Sequence, residues 1–380
     1  VSRARAAVVV GPSRREGNEV RARVSVAGSA SDVSFRARGA SVHPHDDAFV
    51  PVALLLGMAL GLPAVVEGPV SERLLETLPR ARADLVGLYP GLADVALEAP
   101  RPVPGAAPGP PGGVLCFFSG GLDSFYSLLS HRDEVSHVVF VHGFDVPLDD
   151  AASRATVSRS LRAAAQEMGK AWVEVETDLR VLCDRHASWT WYSHAGLAAV
   201  SLLLSASFSE VLFGATLADE HRADAGPNDE RARVWDNGLA CIRRDGGEAT
   251  RVAKAARVAT DPTARRFLRV CWANPGGAWN CGACPKCVRT MASLELAGGL
   301  ALFPGFPARL DLHAVRSQRL RRRRDRLFAE ENLRAAEGSP GHAALAAALR
   351  ESLRQPRWRR LLERLSPSRR RARRRRVRRA

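Results

Sequence analysis

Two groups of residues in this 380-residue chain have types and spacings that do chemistry. The first is Cys271-x9-Cys281-Gly-Ala-Cys284-Pro-Lys-Cys287. A Cys-x-x-Cys turn directs two thiolates at one ion, and Pro285 suits the first turn of a helix that carries Cys287 back to the same point. Cys271 then closes a tetrahedron. Four thiolates with no His or carboxylate favour a closed structural Zn²⁺ site over free buried thiols, with an iron–sulfur cluster as the alternative of equal ligand count. Lys286 and Arg289 flank the group, where their charge would stabilise thiolates.

The second is Ser119-Gly120-Gly121-Leu122-Asp123-Ser124, placed where an apolar run, Val114 to Phe118, hands over to a helical one. The glycines let the backbone turn tightly and bring its N–H groups close to a ligand. Ser119 and Ser124 add hydroxyls, and the start of the next helix adds positive potential. Such a nest is sized for phosphate; the plainer reading is a Gly-Gly turn with a Ser/Asp cap. The string lacks the Gly-Lys-Thr/Ser ending of a Walker loop and the spaced glycines of a dinucleotide fingerprint, which disfavours γ-phosphate transfer and hydride transfer.

The elements that must position these groups follow from periodicity. Val20–Val26 and Val33–Arg38 alternate with period two and read as strands; Val52–Leu62 reads as a buried helix opening after Asp46 and Asp47, too short and too broken by Pro and Gly to span a membrane. Residues 1–98 therefore predict a small α+β domain. Residues 99–113 hold ten Pro or Gly in fifteen positions, which predicts a linker with neither helix nor strand. From 114 to 302 short apolar strands (Val114–Phe118, His137–His142, Trp172–Val175, Glu210–Ala215) alternate with helices (Ser124–Ser130, Asp150–Met168, Ser193–Ser207). This is the α/β pattern of a parallel sheet with helices on both faces. Residues 303–365 read as a helical extension, and 366–380 as a disordered Arg-rich tail.

Charge follows the same division. The chain carries +16 overall, yet the segment from Arg316 onward holds 23 Arg against six acids, so residues 1–315 are nearly neutral. The basicity belongs to the C-terminal segment, which would contact nucleic-acid phosphates without sequence preference. Clustered cysteines beside scattered Cys116, Cys183 and Cys241, with no secretory apolar region at the start, predict a cytoplasmic location.

Ser119-Gly-Gly-Leu-Asp-Ser124 resembles the Ser-Gly-Gly-x-Asp-Ser signature of the PP-loop ATP pyrophosphatases, or adenine nucleotide alpha hydrolases. The later four-cysteine group resembles that of their 7-cyano-7-deazaguanine synthase (QueC-like) branch. The likeness covers roughly Val114 to Gly299. It implies a Rossmann-like fold that binds ATP and Mg²⁺, with Ser119, Gly120, Gly121, Leu122 and Ser124 around the phosphates and Asp123 capping the loop or placing Mg²⁺. It also implies cleavage to AMP and pyrophosphate, adenylation of a carboxylate or amide oxygen of a small-molecule acceptor, and displacement by an ammonia-type or a sulfur nucleophile.

Further candidates come from the residues themselves. Asp145, just past the second strand, is a candidate adenosine contact or loop cap. Arg251 and Lys254, one helical turn apart, could pair with phosphate. Tyr192 and His194 could line a pocket or pack a helix, and Asp219, Glu220 and His221 read as a solvated loop more readily than a metal site. Sulfur transfer would need Cys183 or Cys241 as nucleophile. A third reading is a zinc-stabilised nucleic-acid-binding protein with a degenerate ATP site.

Overall fold

A computed structural model describes residues 6–89, 91–104, 112–221, 235–273, 278–320 and 322–354. The first part of the chain forms β1 (Val8–Val10), β2 (Arg14–Glu16), β3 (Glu19–Val26), β4 (Ser29–Arg38), α1 (Phe49–Leu60), β5 (Ala64–Val66), β6 (Val70–Ser71), α2 (Glu72–Leu88), β7 (Leu97–Glu98) and β8 (Pro102–Val103). In β3 the small apolar residues Val20, Ala22, Val24 and Val26 face the core while Arg21 and Arg23 face solvent, the period-two pattern of a half-buried strand. Helix α1 is apolar all round, and Phe49 to Met58 are buried. It ends at Gly61, whose φ of 67° is the left-handed cap that glycine supplies without strain.

After the Pro/Gly segment come β9 (Gly113–Phe117), α3 (Leu122–Ser130), β10 (Val135–His142), α4 (Ala151–Glu167), β11 (Ala171–Thr177), α5 (Leu179–His186), α6 (Trp189–Leu204), β12 (Phe208–Gly214), β13 (Cys241–Asp245), α7 (Arg251–Ala259), α8 (Pro262–Phe267) and α9 (Pro285–Leu296). The strands pair in the order β13-β12-β9-β10-β11, all parallel. The chain thus moves outward from β9 on one side and then returns to its other side, so the direction of winding reverses between β9 and β12. Ligands of open parallel sheets bind beyond the strand C-termini at such a reversal. The fold is α/β with a mostly parallel central sheet flanked by helices.

Three features differ from the sequence expectations. The N-terminal strands do not form a separate sheet: β4 pairs antiparallel with β11, Phe35 opposite Thr177 and Arg38 opposite Glu174, giving one eleven-stranded sheet. One apolar core accordingly runs from Val8 through α1 and α6 to Ile242. Within 99–113, Pro102 and Val103 form a short edge strand on β6, a place where proline's missing N–H is tolerated. Strand β13 and helix α5 add to the expected elements; Cys241-Ile-Arg-Arg-Asp245 carries one aliphatic residue, and its pairing with β12 is what makes it a strand.

The chain closes with α10 (Leu312–Arg316), α11 (Arg323–Glu337) and α12 (Ala343–Arg354), which pack on Val288 and Ala292 of α9. The Arg-rich segment 366–380 and residues 355–365 lie outside the described residues, as do 105–111 of the linker. Among the described residues no helix is long and apolar enough to cross a membrane.

One buried polar group ties two parallel strands to a covering helix. Glu174 on β11 accepts from Ser158 of α4 at 2.5 Å and from Arg162 at 3.2 Å, and meets His142 of β10 at 3.4 Å. His142, then Ser158 and Arg162, hold this carboxyl at about 2, below its ordinary 4.5. Because the folded value is depressed, the stabilisation is complete above pH 4.5 and is lost as pH falls toward 2. Glu174→Gln is expected to cost about 2 kcal/mol at pH 7 and to flatten the acid limb between those values, as read by urea unfolding across the pH series.

Candidate phosphate site and four-cysteine centre

The Ser119–Ser124 string forms the turn from β9 into α3, at the reversal point of the sheet. Gly120 sits at φ 72°, and a Cβ there would lie 2.5 Å from Leu161 Cδ2. Gly121 is the N-cap of α3 and brings no side chain to it. The N–H groups of Leu122, Asp123 and Ser124 therefore open the helix with no preceding carbonyl to bond, the arrangement that attracts an anion. Ser119 is exposed beside them. Ser124 has a different part: its hydroxyl donates to Gly121 O at 3.0 Å and braces the bend from within.

Behind the bend, Asp123 faces two buried cations. Arg251 Nη1 lies 3.2 and 3.3 Å from its carboxylate oxygens and Lys254 Nζ 3.5 Å away, with the cationic side chains 3% and 1% exposed. Arg251 also donates to Thr290 of α9 and stacks on Phe328 of α11, while its backbone N–H donates to Glu331. Lys254 donates to Ala215 O at 2.5 Å, just past the end of β12, and burial pulls its ammonium below the ordinary lysine value against the opposing charge of Asp123. Gly214 lets this happen, since a Cβ there would approach the Asp123 backbone to 2.9 Å. The structure thus sets Arg251 and Lys254, which the sequence offered as phosphate partners, on the carboxylate of Asp123.

The four cysteines also converge. Sulfur atoms of Cys271, Cys281, Cys284 and Cys287 all lie within 4.8 Å of one another, with Cys281 and Cys287 at 3.9 Å. A tetrahedral thiolate site with bonds of about 2.3 Å needs separations of about 3.8 Å, so the group could hold a metal ion. Cys284 is the N-cap of α9 and Pro285 opens it, which turns Cys287 back as expected. The neighbouring Cys287 thiol, with the Cys287 N–H that donates to the Cys284 sulfur, pulls Cys284 below the ordinary thiol value while Cys287 is pushed up. A bound cation would replace these shared protons.

The two centres are neighbours. Arg269 N donates to Gly120 O at 2.7 Å, two residues before Cys271. Asn280 clamps that segment, accepting from Val270 N and Cys271 N and donating to Leu268 O. Neither Asn280 nor Arg269 stood out in the sequence; both act through backbone positions that only the fold brings together. Asp145 lies 3.8 Å from Lys286 and within the field of buried Arg269, at the rim between the centres. Lys286 is therefore directed at Asp145. Arg289 turns away from the thiolates and stacks on Phe328 at 4.4 Å, because α9 carries it to the face that meets α11.

The remaining candidates are placed as follows. Tyr192 is buried and donates to Val52 O, which assigns it to packing. His194 bonds Tyr89 at 2.5 Å. Asp219 and Glu220 pair with Arg244 and Arg334. Cys183 is wholly buried on α5, its thiol pushed up by burial, and Cys241 starts β13, at the sheet edge opposite the Ser119–Ser124 turn.

Comparison of the chain with models of known families, with curated proteins and with solved structures gives no match. Two outcomes test the geometry. Asp123→Asn leaves two buried cations facing no carboxylate and is expected to cost about 3 kcal/mol in chemical unfolding. Cys287→Ser should abolish the thiolate-to-cobalt charge-transfer band of the Co²⁺-loaded chain and lower its melting temperature.

Proposed function

We propose that this chain is an ATP-dependent enzyme of the PP-loop type that cleaves ATP to AMP and pyrophosphate and activates a small-molecule acceptor for C–N bond formation. One observation carries the reading: an uncapped helix start on a Gly-Gly bend, at the winding reversal of a parallel sheet, with cations gathered behind it. The uncapped N–H groups and the Ser119 hydroxyl would hold the pyrophosphate end of ATP, and Arg269 and Lys286 would place positive charge at the rim beside Asp145. A carboxylate or amide oxygen of the acceptor attacks the α-phosphorus, and the electron pair of the broken bond leaves on pyrophosphate. A nitrogen nucleophile then attacks the activated carbon and AMP departs. What the protein supplies is alignment and charge neutralisation.

Asp123 does not fit a direct Mg²⁺ ligand, since its carboxylate is already shared by two buried cations. In this reading it positions Arg251 and Lys254, and Mg²⁺ enters with the nucleotide. The four-cysteine group suits a closed Zn²⁺ site that fixes the segment backing the loop. The placement of Cys183 and Cys241 speaks against sulfur transfer through a thiol of this chain, so nitrogen chemistry is the preferred course. A cytoplasmic setting agrees with a site whose cysteines form no disulfide with one another. Nucleic-acid contact through 366–380 would be accessory.

The test is incubation of the purified chain with ATP and fractionated small metabolites, reading AMP and pyrophosphate together. Equal, acceptor-dependent release is expected, falling roughly 10²-fold in Gly120→Val. ADP as the nucleotide product, or no turnover with any fraction, overturns the proposal.

A further inference from the structure

A second cluster of metal-ligating side chains lies far from the phosphate loop. After β4 the chain runs Ser41-Val-His43-Pro-His45-Asp46-Asp47 into α1, and the donor atoms of His43, His45 and Asp47 all lie within 4.8 Å of one another. The cluster sits at the opposite edge of the sheet. Gly39 abuts Trp172 O at the start of β11, Ser41 N donates to Ser207 just before β12, and His43 N donates to Leu203 O at the end of α6. We infer that His43, His45 and Asp47 form a second, independent site for a divalent ion of the Zn²⁺ class, with two imidazoles and one carboxylate as ligands and water completing the coordination.

Four observations carry this. His43 is 1% and Asp47 0% exposed, whereas His45 is partly exposed, so two donors are fixed in the core and the third opens to solvent. His43 Nε2 is buried with no hydrogen-bond partner, an expensive state for a polar nitrogen. Asp47 faces no permanent cation among the described residues. His43 Nδ1 stands 3.8 Å from it, while Arg15 is spent on His43 O, His45 O and Asp46. Finally, the donors are oriented from outside. Ser71 donates to Asp47 through N–H at 2.8 Å and hydroxyl at 2.6 Å and meets His45 Nδ1 at 3.3 Å, and Asn237 donates to Asp47 at 3.0 Å. Carboxylate and imidazole ligands of metals are held in this manner.

His43 Nδ1, 3.8 Å from Asp47, already accepts from His45 N–H at 3.1 Å, so the nitrogen left for an ion is the partnerless Nε2. Nitrogen and oxygen donors without sulfur select Zn²⁺ or a neighbouring first-row ion and set this site apart from the thiolate centre. Its position gives it a consequence: Ser71 belongs to the N-terminal half and Asn237 leads into β13, so the ion would fasten the N-terminal strands to the parallel half of the sheet.

The probe is Zn²⁺ alone, added to the metal-free full chain and counted by mass spectrometry after gel filtration, with a parallel Co²⁺ titration. Two equivalents per chain are expected in the natural sequence. His45→Ala and His45→Gln, at a partly exposed position that keeps the core intact, should retain one equivalent with an unchanged thiolate-to-cobalt band, while affinity for the second ion falls at least about 100-fold. Equal metal content in the natural chain and both variants, whether one or two equivalents, would overturn the inference. Because the thiolate band reports the four-cysteine centre separately, failure there is not mistaken for failure here.

Discussion

The meeting of Asp123 with Arg251 and Lys254 is the contact on which the architecture around the loop depends. Taking two cations out of water costs several kcal/mol each, and only a carboxylate at hydrogen-bond distance, an aromatic face and backbone carbonyls make it tolerable. Every one of those compensations comes from a different element: Asp123 from α3, Ala215 from the end of β12, Thr290 from α9, and Phe328 with Glu331 from α11. The burial of two charges therefore holds five segments in register. It also keeps positive potential just behind a helix start that already favours anions.

The thiolate centre is the second fixed point, and it is connected to the first through one rigid helix. Cys284 and Cys287 sit in the first turn of α9, and Thr290, one turn on, receives Arg251. On its other side, Cys271 ends the segment whose Arg269 N–H holds Gly120 O. The Gly-Gly bend is thus supported from two directions by residues whose positions the cysteines determine. An ion held by the four cysteines would in this way act on the Gly-Gly bend through packing alone.

The N-terminal half contributes in a different manner. By adding β4 antiparallel to β11 it removes an exposed edge from the parallel sheet and extends the core with α1, whose residues are apolar on every side and need cover on every side. The C-terminal helices, which the sequence marks mainly by their arginines, deliver Phe328 under Arg251 and Arg289. Both additions to the βα array are thereby structural parts of one body among the described residues.

What was legible along the sequence were local features: the turn chemistry of Ser119–Ser124, the Cys-x-x-Cys spacing with Pro285, and the alternation of β3 and β4 or of the βα units. Each is set by periodicity or by backbone freedom within a few residues. It also singled out Arg251, Lys254 and Asp123 by type. It took the folded chain to set Arg251 and Lys254 on Asp123, to join the cysteines to the bend through Asn280 and Arg269, and to fuse the two halves into one sheet through β4. Apart from the contacts of Asn280, which reach only 9 to 12 positions back, those outcomes rest on residues more than 100 positions apart along the chain. No local pattern of hydrophobicity or charge encodes them, because the free energy that selects such contacts exists only once water has been excluded between the elements.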